Sequence, residues 1–200
     1  DSGCGTPWCA ATGLPANRMQ HGSVMFNGVI YLIGGVSSGG TATSSVIYTR
    51  INSDGTPGSW STTSSLNATR QAIGNFAGMI NGYVYAAGGC SGWDGTTCTT
   101  TYVDSVEYAP INADGTLGAW RTTATLGSAR SLHSTVSWNN YLYSVGGCSA
   151  GNCTTYLSSV EYSPILTGGA LHDSTWSTTT AYTTGRRYHT THVYNSCVYV

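Results

Sequence analysis

Four arginines at a regular spacing are the first residues in this sequence that could do chemistry. Each stands ten residues after a tryptophan, and the four are Arg18, Arg70, Arg130 and Arg186. Guanidinium groups bind carboxylates or sulfated sugars through forked hydrogen bonds, so a ring of arginines could bind such a ligand. The alternative is structural, with each arginine joining neighbouring repeats through backbone carbonyls. Repetition in every unit favours the structural alternative, because a residue present in each repeat usually serves the repeat.

Histidines that follow this arginine pattern indicate a second possible chemistry. His21, His133 and His189 each stand three residues after an arginine, whereas Ile73 takes that place in the second repeat. Imidazoles that converge could bind a metal ion. An isoleucine at one of the four positions favours packing between repeats instead, so the sequence predicts neither a metal site nor a cofactor.

The seven cysteines predict disulfides within loops. Cys90 and Cys148 directly follow Gly-Gly pairs, and Cys98 and Cys153 come eight and five residues later. We expect the pairs Cys90–Cys98 and Cys148–Cys153, with a third pair between Cys4 and Cys9. The alternative is a four-cysteine zinc site, although zinc pairs usually have shorter spacings. Cys197 lies in a predicted strand, either as a small buried hydrophobic residue or as the partner of a cysteine outside this segment.

The loops held by these cysteines are the favoured binding site. Trp93 and Asp94 lie between Cys90 and Cys98, and Asn152 lies in the shorter second loop. An exposed tryptophan would stack on a sugar or anchor a protein partner, while the alternative is a ring folded back onto its own repeat. Asn152 and Asn67 also begin Asn-x-Thr sequences that match the glycosylation acceptor motif.

Carboxylates are scarce and give no sign of an acid–base pair. The eight Asp and Glu residues form no arrangement that a glycosidase needs, and two of them, Asp54 and Asp114, belong to predicted turns. Glu107 and Glu161 share one strand position and are expected to be exposed. Motifs for a serine nucleophile, a phosphate-binding loop or a zinc protease are absent from the sequence.

The elements that must position these residues follow from an internal repeat. Tyr31 begins a Tyr-x-x-Gly-Gly sequence that recurs at Tyr85 and Tyr143 and starts again at Tyr199. The tryptophans of the arginine pattern are Trp8, Trp60, Trp120 and Trp176. Each period contains two hairpin signals, an Asn-Gly type of turn and an Asp-Gly type of turn. The sequence therefore predicts an all-β fold of four-stranded antiparallel units, with a period typical of propeller blades.

The Gly-Gly pairs, the spaced tyrosine and tryptophan and the arginine before the first strand together resemble the Kelch repeat. The cassette Ile-Asn-x-Asp-Gly-Thr-x-Gly-x-Trp, at 51–60 and 111–120, resembles a variant of secreted bacterial surface proteins, and the third repeat departs from it at 167–170. The resemblance implies a β-propeller used mainly for binding. It would place the arginines and histidines near one mouth of a central channel.

The repeat divides the chain into about three and a half blades. Residues 1–17 would form the last strand of a preceding blade, 18–69, 70–129 and 130–185 the three blades, and 186–200 half of another. Kelch rings usually close with more blades, so the favoured hypothesis is a piece of a longer propeller. The alternatives are closure between the two ends of the chain and head-to-tail assembly of copies.

Composition narrows the compartment and the partners. The chain has 200 residues, 8% charged residues, no lysine and a net charge of −1, which argues against nucleic acid as a partner. The longest apolar run, Val29 to Ile33, is too short to span a membrane. Disulfides indicate an extracellular or cell-surface protein. We expect a non-enzymatic adhesion module that binds protein or glycan, with a filament or coat subunit and a copper radical oxidase-like or glycan-acting enzyme as alternatives.

Overall fold

The computed structural model describes residues 11–73, 78–92, 98–99, 101–149, 151–172 and 176–200. These residues form sixteen strands and one 3-10 turn at Gly151–Cys153, and no other helix. The strands are β1 (Arg18–Met19), β2 (Gly22–Phe26), β3 (Val29–Ile33), β4 (Val36–Ser37), β5 (Val46–Arg50), β6 (Ser61–Thr63), β7 (Gly78–Ile80), β8 (Tyr83–Ala87), β9 (Val106–Pro110), β10 (Arg121–Thr123), β11 (Ser134–Trp138), β12 (Tyr141–Val145), β13 (Val160–Pro164), β14 (Ser177–Thr179), β15 (His192–Tyr194) and β16 (Cys197–Tyr199).

Three four-stranded antiparallel sheets make up most of the fold. Their strand orders are β2-β3-β5-β6, β7-β8-β9-β10 and β11-β12-β13-β14. Two further sheets have two strands each, β1 with β4 and β15 with β16. The predicted all-β class of four-stranded antiparallel blades is therefore confirmed. We call the sheets blades 1 to 3, and the β15–β16 hairpin blade 4.

The first hairpin of each blade forms because of its two turn residues. Asn27 and Gly28 both have positive φ, at 47° and 72°, as do Asn139 and Asn140 in blade 3, at 47° and 61°. Turns with two positive φ angles match the twist of a tight hairpin, and Asn and Gly adopt them at low cost. The hairpin turns lie at one end of the strands, and we call this end of the molecule the hairpin face. The loops after Gly-Gly lie at the opposite end of the strands, which we call the loop face.

Neighbouring blades pack through an apolar layer between their sheets. Between blades 1 and 2 this layer contains Tyr31, Ile33, Ile73, Val84 and Trp120. Between blades 2 and 3 the corresponding layer contains Tyr85, Leu142 and Trp176, among others. A sheet that buries both faces against other sheets needs apolar side chains on both faces, which explains the near-continuous apolar runs of β3 and β8.

The tyrosines and the tryptophans that recur in each repeat make contacts between blades. The Tyr31 hydroxyl donates to the Gly115 carbonyl of the next blade at 2.8 Å. The Tyr85 hydroxyl makes the same bond to Gly169 at 2.7 Å. The Trp120 indole donates to the Ser64 carbonyl of the preceding blade at 2.9 Å. Tyrosine and tryptophan repeat because each satisfies its polar atom on a neighbouring blade while its ring fills the apolar layer.

A backbone ladder at the loop face also joins consecutive blades. The Ala72 N–H donates to the Gln20 carbonyl at 2.9 Å, Leu132 to Ala72 at 3.0 Å, and Tyr188 to Leu132 at 3.1 Å. All four residues have φ between 51° and 56°, a left-handed conformation that costs energy for side chains with Cβ. The hydrogen bond to the next blade offsets that cost, so the blades determine one another's backbone.

Candidate functional site

The repeated arginines, which we call the arginine ladder, make hydrogen bonds in the interior of the blades. Arg70 is 2% exposed and donates to the carbonyls of Gly88, at 3.2 Å, and Ser105, at 2.9 Å, both in its own blade. Arg130 makes the equivalent bonds to Gly146 and Ser159 in blade 3. Arg18 bonds to Gly34 and Ser45 in blade 1. Arg18, Arg70 and Arg130 thus each join the end of one strand to the start of the next within a blade. The expectation that these arginines join neighbouring repeats through backbone carbonyls is wrong, because the carbonyls they bind belong to their own blade.

Two glutamates complete this arrangement, and the expectation that they are exposed is wrong. Glu107 and Glu161 are 1% and 2% exposed. Glu107 accepts a hydrogen bond from Arg70 at 2.5 Å and another from the Asn67 N–H of the preceding blade at 2.7 Å. Glu161 likewise binds Arg130 and the Gly127 N–H. The carboxylates are buried because each neutralises an arginine and joins it to the neighbouring blade.

Two members of the ladder differ from Arg70 and Arg130. Blade 1 has Ile47 where the other blades have glutamate, and Arg18 is only partly buried. Burial still lowers the pKa of the Arg18 guanidinium. Arg186, in blade 4, is exposed, and its guanidinium lies 5.1 Å from the centre of the Tyr182 ring.

The histidines of the same ladder pack against glycine. A Cβ added at Gly88 would lie 2.9 Å from Cε1 of His133, and one added at Gly34 would lie 2.8 Å from Cδ1 of Ile73. His133 and Ile73 therefore fill equivalent space beneath the Gly-Gly pair of the preceding blade, which explains why only glycine fits there. Burial, assisted by Arg130 and His189, lowers the pKa of His133 to about 3.

The described residues contain no group of three His, Cys, Asp or Glu side chains close enough to hold a metal ion. His21 is partly buried, and burial followed by the charge of Arg18 lowers its pKa. Burial also lowers the pKa of His189. Low pKa values keep these imidazoles neutral near pH 7, as packing positions require.

The structure contains two of the disulfides expected from the sequence, Cys90–Cys98 and Cys148–Cys153. All four cysteines are at most 2% exposed and pack with Ala72 and Leu132. Cys4 and Cys9 lie outside the described residues, as do Trp93 and Asp94. Cys197 is an exposed free thiol, so the expectation of a buried hydrophobic position is wrong.

Contacts between the two disulfide loops join them at the loop face. Sγ of Cys98 lies 3.4 Å from Oγ of Ser131, which lies 3.5 Å from Sγ of Cys148. The Cys153 N–H donates to the Tyr102 hydroxyl at 2.9 Å. The stapled loops of blades 2 and 3 therefore form one continuous element, which we call the loop platform (90–92, 98–99, 101–102 and 148–149, 151–156).

Several exposed polar and aromatic side chains lie on the loop platform. Asn152 is exposed and has a φ of 55°, and Tyr156 is 51% exposed. Arg187 lies against the Tyr156 ring, 5.2 Å from its centre, and 5.3 Å from that of Tyr188. Sequence reasoning missed Tyr156 because the tyrosine is separated from the repeated Tyr-x-x-Gly-Gly pattern.

The two glycosylation motifs have different surroundings. Asn67 is exposed, but its side-chain amide donates to the Trp120 carbonyl of the next blade at 3.2 Å. Glycosylation modifies this amide nitrogen, so a glycan on Asn67 would stand at the contact between blades 1 and 2. Asn152 stands within the smaller disulfide loop.

Comparison with known proteins agrees with this architecture. The family described as Kelch motif matches residues 129–162, which span β11, β12 and the start of β13. The solved structure of YjhT superposes with a TM-score of 0.60 at 18% sequence identity and covers 86% of this chain. The chain has the fold of Kelch β-propeller blades. It spans 49% of the YjhT chain, about half its length, and at this identity the similarity concerns the fold alone.

No curated protein matches this sequence. The Kelch motif covers the inner three strands of blade 3, where the arginine, the Gly-Gly pair and the glutamate all occur. None of the described residues belongs to a helix that could cross a membrane.

Proposed function

We propose that these Kelch blades belong to an extracellular or cell-surface module that binds a protein or glycan through the loop platform. Kelch domains mediate protein binding. In this chain the repeated arginines and glutamates already bind each other and hold the blades together. Variable loops on a rigid scaffold are where propellers place their recognition residues. The binding would be non-enzymatic.

The observation that carries this proposal is the contact between the two disulfide loops. Joined loops lose little conformational entropy when they bind, because the disulfides and the Cys153–Tyr102 hydrogen bond already order them. Exposed Asn152 and Tyr156 offer an amide and an aromatic ring on this ordered surface. Tyrosine is among the residue types enriched at binding hot spots.

The two buried disulfides support the proposed compartment. Disulfides persist in oxidising environments and are rare where thiols are kept reduced. We therefore expect both bonds in protein isolated from its natural source without reducing agents, as measured by mass spectrometry after alkylation of free thiols. Alkylated Cys90 or Cys148 in such material would contradict an extracellular location.

Binding assays with matched variants test the proposal. The protein is screened against glycan arrays and displayed extracellular proteins, and each ligand found is retested with Asn152→Ala and Tyr156→Ala. Leu166→Ala is the control, because Leu166 is 41% exposed at the hairpin face. We expect the two loop variants to lose at least tenfold in affinity and the control to lose none. Equal losses in all three variants would place the binding surface elsewhere.

A further inference from the structure

The hairpin of blade 4 has a strand edge that pairs with no other strand among the described residues. Strand β16 pairs with β15 alone, whereas its equivalent in blade 3, β12, pairs with β11 on one edge and with β13 on the other. An unpaired edge presents backbone N–H and C=O groups that can bind a further extended segment. The side chains around this edge indicate which segment would fit.

Arg186 offers a positive charge to such a segment. Its equivalent in blade 3, Arg130, forms an ion pair with Glu161 of the third strand. The backbone of Arg186 is placed in the same way, because its N–H donates to the Leu157 carbonyl at 3.2 Å, as the Arg130 N–H donates to Val103 at 3.3 Å. The Arg186 side chain is exposed and forms no ion pair in the part of the chain that the structure describes. It can therefore bind a carboxylate from an added strand.

Thr183 offers a backbone donor to the same carboxylate. In blade 3, Glu161 accepts a second hydrogen bond from the Gly127 N–H at 2.7 Å, and Gly127 stands three residues before its arginine. Thr183 stands three residues before Arg186, and its N–H has no hydrogen-bond partner within the described ranges. A carboxylate that blade 4 binds in the manner of Glu161 would therefore meet two donors.

Tyr199 offers an aromatic ring that is 53% exposed. In each of blades 1 to 3, the recurrent tyrosine of the second strand stacks on a tyrosine of the third strand. The ring centroids lie 6.2, 6.1 and 5.9 Å apart in the pairs Tyr31–Tyr48, Tyr85–Tyr108 and Tyr143–Tyr162. Because Tyr199 is the recurrent tyrosine of blade 4, it would stack on a tyrosine of an added strand.

From these features we propose that the β16 edge binds an extended peptide segment with the pattern Val-Glu-Tyr. The segment would add a strand to the blade 4 hairpin through its backbone. Its glutamate would accept hydrogen bonds from Arg186 and from the Thr183 N–H, and its tyrosine would stack on Tyr199. This surface goes beyond the proposed function, because none of these residues belongs to the loop platform.

The partner is a polypeptide other than a second copy of these 200 residues. The chain contains only two glutamates, and both lie in Val-Glu-Tyr sequences, one in β9 and one in β13. Each of these strands already pairs on both edges within its own blade. A second copy could therefore supply the segment only by opening one of its blades.

A synthetic peptide with the sequence of residues 103–112, which includes β9, tests the proposal on the 200-residue chain. We expect saturable binding in the micromolar to millimolar range by calorimetry, and none by a scrambled peptide of the same composition. Hydrogen exchange at residues 197–199 should become slower when the peptide binds, because their backbone gains partners. Equal binding of the scrambled peptide, or unchanged exchange at these residues, would overturn the proposal.

A double-mutant cycle assigns the contact to Arg186. Glu107→Gln in the peptide and Arg186→Met in the protein should each weaken binding by roughly tenfold, and the two together by little more than either alone. Arg121→Met is the matched control, because Arg121 is exposed on the outer strand of blade 2. Independent losses in the cycle, or an equal loss in Arg121→Met, would contradict the proposal.

The remaining outcomes separate the other possible occupants of the edge. Slow exchange at residues 197–199 in the free protein, together with a dimer in sedimentation experiments, would mean that a second copy binds there. Slow exchange in a monomer would mean that the chain covers its own edge, and either result would overturn the proposal. If Arg186→Met does not fold, as judged by circular dichroism, the peptide variants still decide. Asn152→Ala and Tyr156→Ala should leave peptide binding unchanged, and a loss in both would place the peptide on the loop platform.

Discussion

At the scale of single residues, the notable feature is that the charged groups serve the fold. Arg70 and Glu107 are both nearly fully buried and form an ion pair, and Glu107 also accepts the Asn67 N–H of blade 1. Removing one member of a buried pair leaves the other as an uncompensated charge. Burial lowers the pKa of the Arg70 guanidinium, because burial disfavours the charged form. The carboxylate of Glu107 acts in the opposite direction and raises this pKa.

We predict that Glu107→Gln strongly destabilises the protein. Loss of the carboxylate charge leaves Arg70 buried without a counter-ion, which should lower the free energy of unfolding by about 3–5 kcal/mol. Urea denaturation followed by circular dichroism measures this change. The double variant Arg70→Met with Glu107→Ile should recover part of the loss, and no recovery would mean that the hydrogen bonds, not the charge, dominate.

The free energy of unfolding should depend on pH, because His133 binds a proton less readily in the folded protein than in the unfolded chain. Its pKa is about 3 in the folded protein, below the ordinary value of 6.5, so the unfolded chain binds the proton more readily. The contribution of His133 to stability is therefore complete above pH 6.5 and decreases as the pH falls from 6.5 towards 3. The maximum slope is about 1.4 kcal/mol per pH unit.

His133→Ile should remove this acid sensitivity, because isoleucine already fills the equivalent position in blade 2. The measurement is urea denaturation of the wild type and the variant at pH 7.5, 5.5 and 4.5. Ile73→His provides the opposite change and should add acid sensitivity. Parallel pH curves for the wild type and His133→Ile would show that His133 does not titrate as inferred.

At the scale of elements, the loops after Gly-Gly are coupled through their disulfides. Cys98 contacts Ser131, Ser131 contacts Cys148, and the Cys153 N–H binds Tyr102. Each loop is therefore ordered partly by the neighbouring blade. This coupling distinguishes a platform from two independent loops.

We predict that removing the blade 3 disulfide loosens the blade 2 loop. The double variant Cys148→Ser with Cys153→Ser should lower the free energy of unfolding by about 2 kcal/mol, since the closed loop is short. Hydrogen exchange measured by mass spectrometry should also become faster at residues 98–103. If exchange changed only at residues 148–156, the two loops would be independent.

At the scale of the whole molecule, each blade is completed by contacts with its neighbours. Ladder tryptophans 120 and 176 donate to the carbonyls of Ser64 and Ala124 in the preceding blade. Trp60 donates to Thr12 at 3.4 Å, and Thr12 holds the same position relative to Trp8. This equivalence supports the proposal that residues 1–17 serve as the outer strand of a preceding blade.

Deleting residues 1–17 should therefore loosen the outer part of blade 1. We expect faster hydrogen exchange at residues 56–63 and a lower Tm, because Trp60 loses its hydrogen-bond partner. The equivalent segment of blade 3, residues 176–182, serves as the internal control and should not change. Unchanged exchange at residues 56–63 would contradict this role for the N-terminal residues.

Local patterns in the sequence determined most of the secondary structure of this protein. The strands, the hairpin turns and the two described disulfides follow from short-range spacing, because turn chemistry and cysteine pairing within a loop depend on near neighbours. The repeat itself predicts four-stranded blades, since each period is one supersecondary unit, and the motifs within it resemble the Kelch repeat. The arginine ladder was also visible, and its structural role was the favoured interpretation.

Only the tertiary structure decided which polar groups are buried and what they contact. The sequence predicted that Glu107 is exposed, because nothing near it in sequence indicates Arg70 or the N–H of Asn67. The Tyr31–Gly115 bond likewise depends on how separate blades meet. Burial is a property of neighbours that are distant in the chain, so the spacing of residues within one repeat could not show it.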